Sequence, residues 1–360
     1  MLSKTLLIIA FLAGLSRFMY AGDTARVAKL KLMGLPVLYY DPESQWGGGA
    51  AGVLRFKTRH EPDSMRYSNI MFATAVTQLG QVLLSAPFQF WLDKEKYNIY
   101  GEAAYLKYNF LYYGIGNNVA PNYSERYYID FPRFRLAALK RIYPHLYAGV
   151  RYTFDNSTLL KLDTAGQLIK GDIAGSKGGV VSGAGLTVKF DNRDNQFYAT
   201  KGYYVECFAL TNGAITGSNY TFSKYSIDAS AYIALPFKQV LAFNAFGAAS
   251  TGDVPFYHMT VLGGSNKMRG YYTGRYRDKD GWVLQAEYRV HLFWRLGAVA
   301  FAGIGGVAPQ VDQFNGKYTR VAWGAGFRAI IDKKQHLNIR LDAGMGGNTL
   351  NYYFTIGEAF

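Results

Sequence analysis

The stretch His145-Leu146-Tyr147-Ala148-Gly149-Val150-Arg151-Tyr152-Thr153-Phe154-Asp155 alternates along its whole length. His145, Tyr147, Gly149, Arg151, Thr153 and Asp155 form one polar or small series, interleaved with Leu146, Ala148, Val150, Tyr152 and Phe154. A period of two belongs to a β-strand, whose successive side chains point to opposite faces. The run lasts about ten residues, the length of a tilted membrane strand rather than of an ordinary one.

The same alternation recurs along the chain. Lys224, Ser226, Asp228 and Ser230 interleave with Tyr225, Ile227, Ala229, Ala231 and Ile233. Gln285, Glu287 and Arg289 interleave with Leu284, Ala286, Tyr288 and Val290, and His336, Asn338, Arg340 and Asp342 with Leu337, Ile339, Leu341 and Ala343. Two architectures use such a pattern. A soluble sandwich turns the apolar face inward, whereas a membrane barrel turns it outward to lipid and lines its lumen with the polar face. The charges of both signs on the polar faces suit a wet lumen. Tyrosines at window ends (Tyr112 and Tyr113, Tyr127 and Tyr128, Tyr203 and Tyr204, Tyr352 and Tyr353) are expected to form an interfacial girdle.

Composition agrees with this reading. With 49% hydrophobic residues the chain is not a disordered one, and its single cysteine, Cys207, builds neither an internal disulfide framework nor a Cys-rich zinc site. No run approaches the roughly 18 apolar residues of a spanning helix. The net charge of +14 raises the question of nucleic acid, but Lys and Arg are scattered singly, without a basic helix or tail. No nucleic-acid partner is expected; outer-membrane lipid and lipopolysaccharide, both anionic, are the better match.

The N-terminus reads as an export signal. A charged start at Lys4, an apolar stretch over 5–15 and a small residue at Ala21 predict a signal peptide over 1–21. A short N-terminal segment over 22–35 then precedes a barrel domain over 36–360. Sixteen antiparallel strands are expected, the first only 36–40. Turns after even-numbered strands are mostly tight, as at Asp93-Lys94-Glu95-Lys96, whereas loops over 110–124, 156–178, 251–280 and 307–318 follow odd-numbered ones. An outer-membrane barrel sorts its loops this way, with both termini periplasmic. The last strand is expected to carry Phe354, Ile356 and Phe360 on one face, as a C-terminal assembly signal.

Two motifs then point to a family. Gly263-Gly264-Ser265-Asn266-Lys267-Met268-Arg269-Gly270-Tyr271 lies in the sixth long-side loop, and Phe190-Asp191-Asn192-Arg193-Asp194-Asn195 runs to Thr200-Lys201-Gly202 at a periplasmic hairpin. Together they resemble the bacterial surface antigen superfamily, the BamA superfamily of outer-membrane β-barrels. Glu287-x-Arg289, Gly324-x-Gly326-x-Arg328 and Arg340-x-Asp342 resemble patterns of its later strands. The resemblance implies an Arg-Gly-aromatic loop folded into the lumen and a role in outer-membrane protein insertion or polypeptide translocation, with client proteins or a periplasmic partner. Family members that insert or secrete proteins carry periplasmic POTRA domains before the barrel; the segment 22–35 leaves no room for one, so a member lacking them is expected. Where the family often has Phe-x-Asp-x-Gly, this chain has Phe301-Ala302-Gly303-Ile304-Gly305, and Gln196 and Ala199 replace common prolines.

An arginine on a loop folded into a barrel needs a carboxylate to offset its desolvation. Arg269 is therefore expected to meet Glu287 or Asp342, with Gly270 allowing close backbone approach and Tyr271 packing on the wall. Asp191, Arg193 and Asp194, with Gly202, are read as a cluster that holds a turn. No catalytic, cofactor-binding or metal-binding residues are expected: there is no Gly-x-Ser-x-Gly elbow, and no His/Cys/carboxylate set has ligand spacing. The alternative to insertion or translocation is a passive pore or a structural subunit of an outer-membrane complex.

Overall fold

The computed structural model describes residues 27–41, 45–58, 61–62, 65–120, 122–332 and 337–360. The expected signal peptide over 1–21 lies outside the described residues. The first half of the sheet comprises β1 (Val27–Asp41), β2 (Gln45–Thr58), β3 (Ser68–Thr77), β4 (Val82–Leu92), β5 (Tyr97–Tyr112), β6 (Glu125–Tyr143), β7 (Leu146–Leu162) and β8 (Gly179–Asp191). The second half comprises β9 (Gly202–Asn212), β10 (Phe222–Leu235), β11 (Gln239–Gly252), β14 (Asp280–Phe293), β15 (Leu296–Ala308), β16 (Arg320–Asp332), β17 (Leu337–Gly346) and β18 (Thr349–Ile356). Each pairs antiparallel with its neighbour in one sixteen-stranded sheet, and β12 (Thr260–Leu262) with β13 (Tyr276–Asp278) makes a separate hairpin between β11 and β14.

The faces are sorted inside out relative to a soluble protein. On β14, Gln285, Glu287 and Arg289 are buried while Leu284 and Tyr288 are exposed; on β17, Asn338, Arg340 and Asp342 are buried while Leu341 is exposed. Tyr225, Ile227 and Ile233 on β10 likewise face outward. The ladder satisfies the backbone, which hydrocarbon cannot. The chain is thus an all-β antiparallel barrel whose apolar band belongs to the bilayer.

Three expectations need correction. First, β1 starts at Val27 rather than at 36 and pairs with β2 from Val27↔Thr58 to Asp41↔Gln45, so the barrel domain takes in much of the segment assigned to 22–35. Lys29-Leu30-Lys31-Leu32 already alternates, but Pro36, which has no N–H to give a ladder, interrupts the reading; proline is tolerated at a sheet edge. Second, the paired tyrosines do not form a girdle together. Period two splits adjacent residues, so Tyr203 and Tyr352 face outward whereas Tyr204 and Tyr353 turn inward, and Tyr112 and Tyr127 join an interior cluster with Phe256. Third, β18 ends at Ile356, and Gly357 (φ +88°) turns the chain off the strand. Phe360 therefore leaves the outward face of Phe354 and packs against Ala199, Tyr232 and Ala242.

The interior is filled from both ends. At the long-loop rim, loop 253–279 folds inward: Leu262, Met268 and Tyr271 pack on Val283, Val307 and Ala322. At the tight-turn rim, hairpin 192–201 and residues 357–360 line a common cavity with Tyr100, Lys189 and Tyr204.

Candidate functional site

The most developed interior site is where loop 253–279 meets β14–β18. Met268 adopts φ +58° and its N–H donates to Gln285 Oε1 at 3.0 Å, which aims the next residue at the wall. The Arg269 guanidinium is buried between two carboxylates, donating to Glu287 Oε1 and, at 2.6 Å, to Asp342 Oδ2. Its third neighbour is the Phe301 ring, 3.7 Å from Cζ, which offers the negative face of its quadrupole.

Each carboxylate is shared. Glu287 also accepts from Arg289 Nε at 2.8 Å, and Asp342 from Arg328 Nη1 at 2.5 Å, with Arg340 Nε 3.6 Å from the second oxygen. Arg328 Nε reaches Glu358 at 2.7 Å, and Arg340 Nη2 donates to the Ser265 carbonyl at 3.0 Å, tying the loop to the wall a second time. Such a network is held by geometry: both oxygens of each carboxylate accept from a guanidinium, which is what a buried ion needs to offset desolvation.

Gly270 explains the close approach. At φ +124° it occupies backbone space that side-chain-bearing residues avoid, and a Cβ there would lie 2.5 Å from the Met345 carbonyl carbon. Gly344 and Gly346 keep the facing wall bare: a Cβ on Gly346 would meet the Tyr271 ring at 2.7 Å. Gly270 is also the link to the last strand. Its N–H donates to Tyr353 Oη at 2.9 Å, and its carbonyl accepts from Asn351 Nδ2 at 2.7 Å and Thr349 Oγ1 at 3.2 Å. Tyr271 Oη donates to the Val321 carbonyl at 3.0 Å. At the position where the family often has an aspartate, Gly303 leaves room instead for Met268, whose sulfur would lie 3.3 Å from a Cβ there.

The hairpin residues gather at the opposite rim. Buried Asp191 accepts from Arg193 Nε at 2.9 Å and from Arg66 Nη1 at 2.9 Å, a partner 125 residues away that no local reading reveals. Asp194 caps the turn, accepting from the backbone N–H groups of Thr200 at 2.9 Å and Lys201 at 3.2 Å. Gly202 closes it at φ +103°, where a Cβ would lie 2.7 Å from the Asn192 carbonyl oxygen. Sequence reasoning also missed Arg328, Glu358 and Phe301 as members of the Arg269 site; Arg328 sat in a quoted pattern, but nothing in the spacing tied it to Asp342.

The model of the Omp85 superfamily domain matches residues 96–360. Among solved structures, the chain is similar to BamA from Haemophilus ducreyi lacking POTRA domains 1-3 (11% identity, TM-score 0.57), covering 92% of this chain and 70% of that one. It is also similar to CdiB from Escherichia coli (13% identity, TM-score 0.58, 91% of this chain and 62% of that one) and CdiB from Acinetobacter baumannii (12%, 0.56, 91% and 59%). The chain thus spans about three fifths of the length of the CdiB chains. At these identities the likeness is one of fold. No curated protein matches the chain by sequence.

Proposed function

The chain belongs to the Omp85 superfamily, and from that premise we propose that this bacterial outer-membrane barrel assists the insertion of other outer-membrane proteins or the translocation of polypeptides. Its partners in this reading are client barrels or a periplasmic protein, besides outer-membrane lipid and lipopolysaccharide.

The observation that carries the reading is the link from Arg269-Gly270 to β18. The sheet order runs from β1 to β18, and these two end strands differ in length, 15 residues against 8. Pro36 removes one backbone donor from β1. Where the end strands approach, Met33 and Leu35 share an apolar groove with Leu337 and Ile356. A client strand adds by backbone pairing to such an edge, and loop 253–279 braces β18 from inside while β1 yields. The filling of the lumen from both rims disfavours an open passive pore.

The test is depletion of the protein, with the levels of other outer-membrane barrels measured. A fall in those levels, rescued by the wild-type gene but not by cysteines placed at Leu35 and Ile356 until a reductant is added, supports the reading (Cys207 being replaced by serine). Unchanged levels beside measurable channel conductance in bilayers would favour the pore.

A further inference from the structure

At the tight-turn rim a chamber of about 520 Å³ opens beside the hairpin 192–201, a size ordinary for a small-molecule site. Its walls are largely apolar, with Tyr198, Leu235, Val240, Trp294 and Ile330 among them. None of the described residues lining it is acidic, whereas Lys238, Arg289 and Arg328 are cationic. The charged groups in the lining are thus cationic, with Glu287, Asp342 and Glu358 pairing the two arginines from outside it.

Both arginines are at least nine-tenths buried, at 1% and 3% exposure. Most of their nitrogens are committed elsewhere: Arg289 Nε to Glu287 and Nη2 to the Phe360 main-chain oxygen at 3.0 Å, Arg328 Nε to Glu358 and Nη1 to Asp342. One nitrogen on each, Nη1 of Arg289 and Nη2 of Arg328, has no hydrogen-bond partner among the described residues. A buried donor without an acceptor is costly, and guanidinium N–H groups are satisfied best by carboxylate or phosphate oxygens.

We infer that this chamber is a binding site for a small ligand with an apolar body and an oxyanion head, the head received by Arg289 Nη1 and Arg328 Nη2. The carboxylates that fix the two guanidiniums lie outside the lining, so the arginines are held in place at the chamber wall. Lys238, exposed at the rim, draws the anion in. The inference does not rest on the proposed role in assembly, because binding persists whether or not depletion changes other barrels.

The test is calorimetry on the purified protein in nanodiscs, with 4-phenylbutyrate, phenyl phosphate and the uncharged 4-phenylbutanol as probes. The expected result is saturable one-site binding of at least one of the two anions, the tighter one naming the head group, with the alcohol at least tenfold weaker. Ala234→Trp fills the exposed mouth without touching either arginine and is expected to weaken binding at least tenfold, as is Arg289→Gln. Binding of the alcohol as tight as the anions, no saturable binding of either anion, or wild-type affinity in Ala234→Trp would overturn the inference.

Discussion

Arg269 shows how much one side chain can carry. Its charge is compensated only while loop 253–279 is docked, because both Glu287 and Asp342 belong to the wall. Removing it takes one arginine partner from each buried carboxylate while Arg289 and Arg328 remain, so the cost lies below the about 3–5 kcal/mol of leaving a buried charge wholly unpaired. Arg269→Ala is expected to lower the thermal unfolding midpoint in detergent and to open the loop to added trypsin, with Arg269→Lys intermediate because an ammonium cannot span the two carboxylates as a fork does. Gly270→Val, by the clash with Met345, is expected to undock the loop with every charge retained. A wild-type midpoint in Arg269→Ala would show that the network adds nothing. Glu287 and Asp342 could be named from sequence because period two put them on the lumen face. Phe301 and Glu358 could not, since a ring face and a strand-end turn leave no periodic trace.

Loop 253–279 is an element with two anchors, and the second one titrates. His258 Nε2 lies 3.1 Å from Asp155 Oδ2 on β7, while Lys224 Nζ donates to the His258 carbonyl at 3.0 Å. Burial pushes the His258 imidazole below its ordinary value, a shift the Asp155 carboxylate opposes and the neighbouring Arg135 and Lys224 reinforce. The undocked loop therefore takes up a proton at a higher pH than the docked one, so docking weakens as pH falls below about 6.5, the ordinary histidine range. Trypsin cleavage of the loop is expected to accelerate between about pH 7.5 and pH 5.5, and His258→Phe is expected to flatten that profile; an unchanged slope in the variant would remove His258 from the account. Most elements were legible. The long alternating strands declared themselves, whereas β12 and β13, three residues each, are too short to show a period. β1 was under-read because Pro36 hid a strand that the Lys29-Leu30-Lys31-Leu32 alternation marks.

At the scale of the whole molecule, sequence periodicity told that there are two faces but left the choice of which looks outward to loop lengths and charges. The structure places Val150, Leu186, Val188, Phe327 and Leu341 outside and Asp155, Thr187, Lys189, Arg328 and Asp342 inside. How densely the lumen is filled was not legible, because its ties, such as Arg66 to Asp191 and Arg151 to Glu206, join residues far apart in sequence with no shared pattern. The same filling lets a polar interior be stable: charges are paired rather than left facing an open channel. The central claim is the orientation of the two faces, and β8 tests it within four residues. Nitroxide labels at Leu186, Thr187, Val188 and Lys189, on a Cys207→Ser background in lipid bilayers, report collision with dissolved oxygen, which concentrates in hydrocarbon. Leu186 and Val188, 66% and 47% exposed, are expected to be oxygen-rich, and Thr187 and Lys189, each 1% exposed, oxygen-poor; the reverse alternation, or none, would contradict the account.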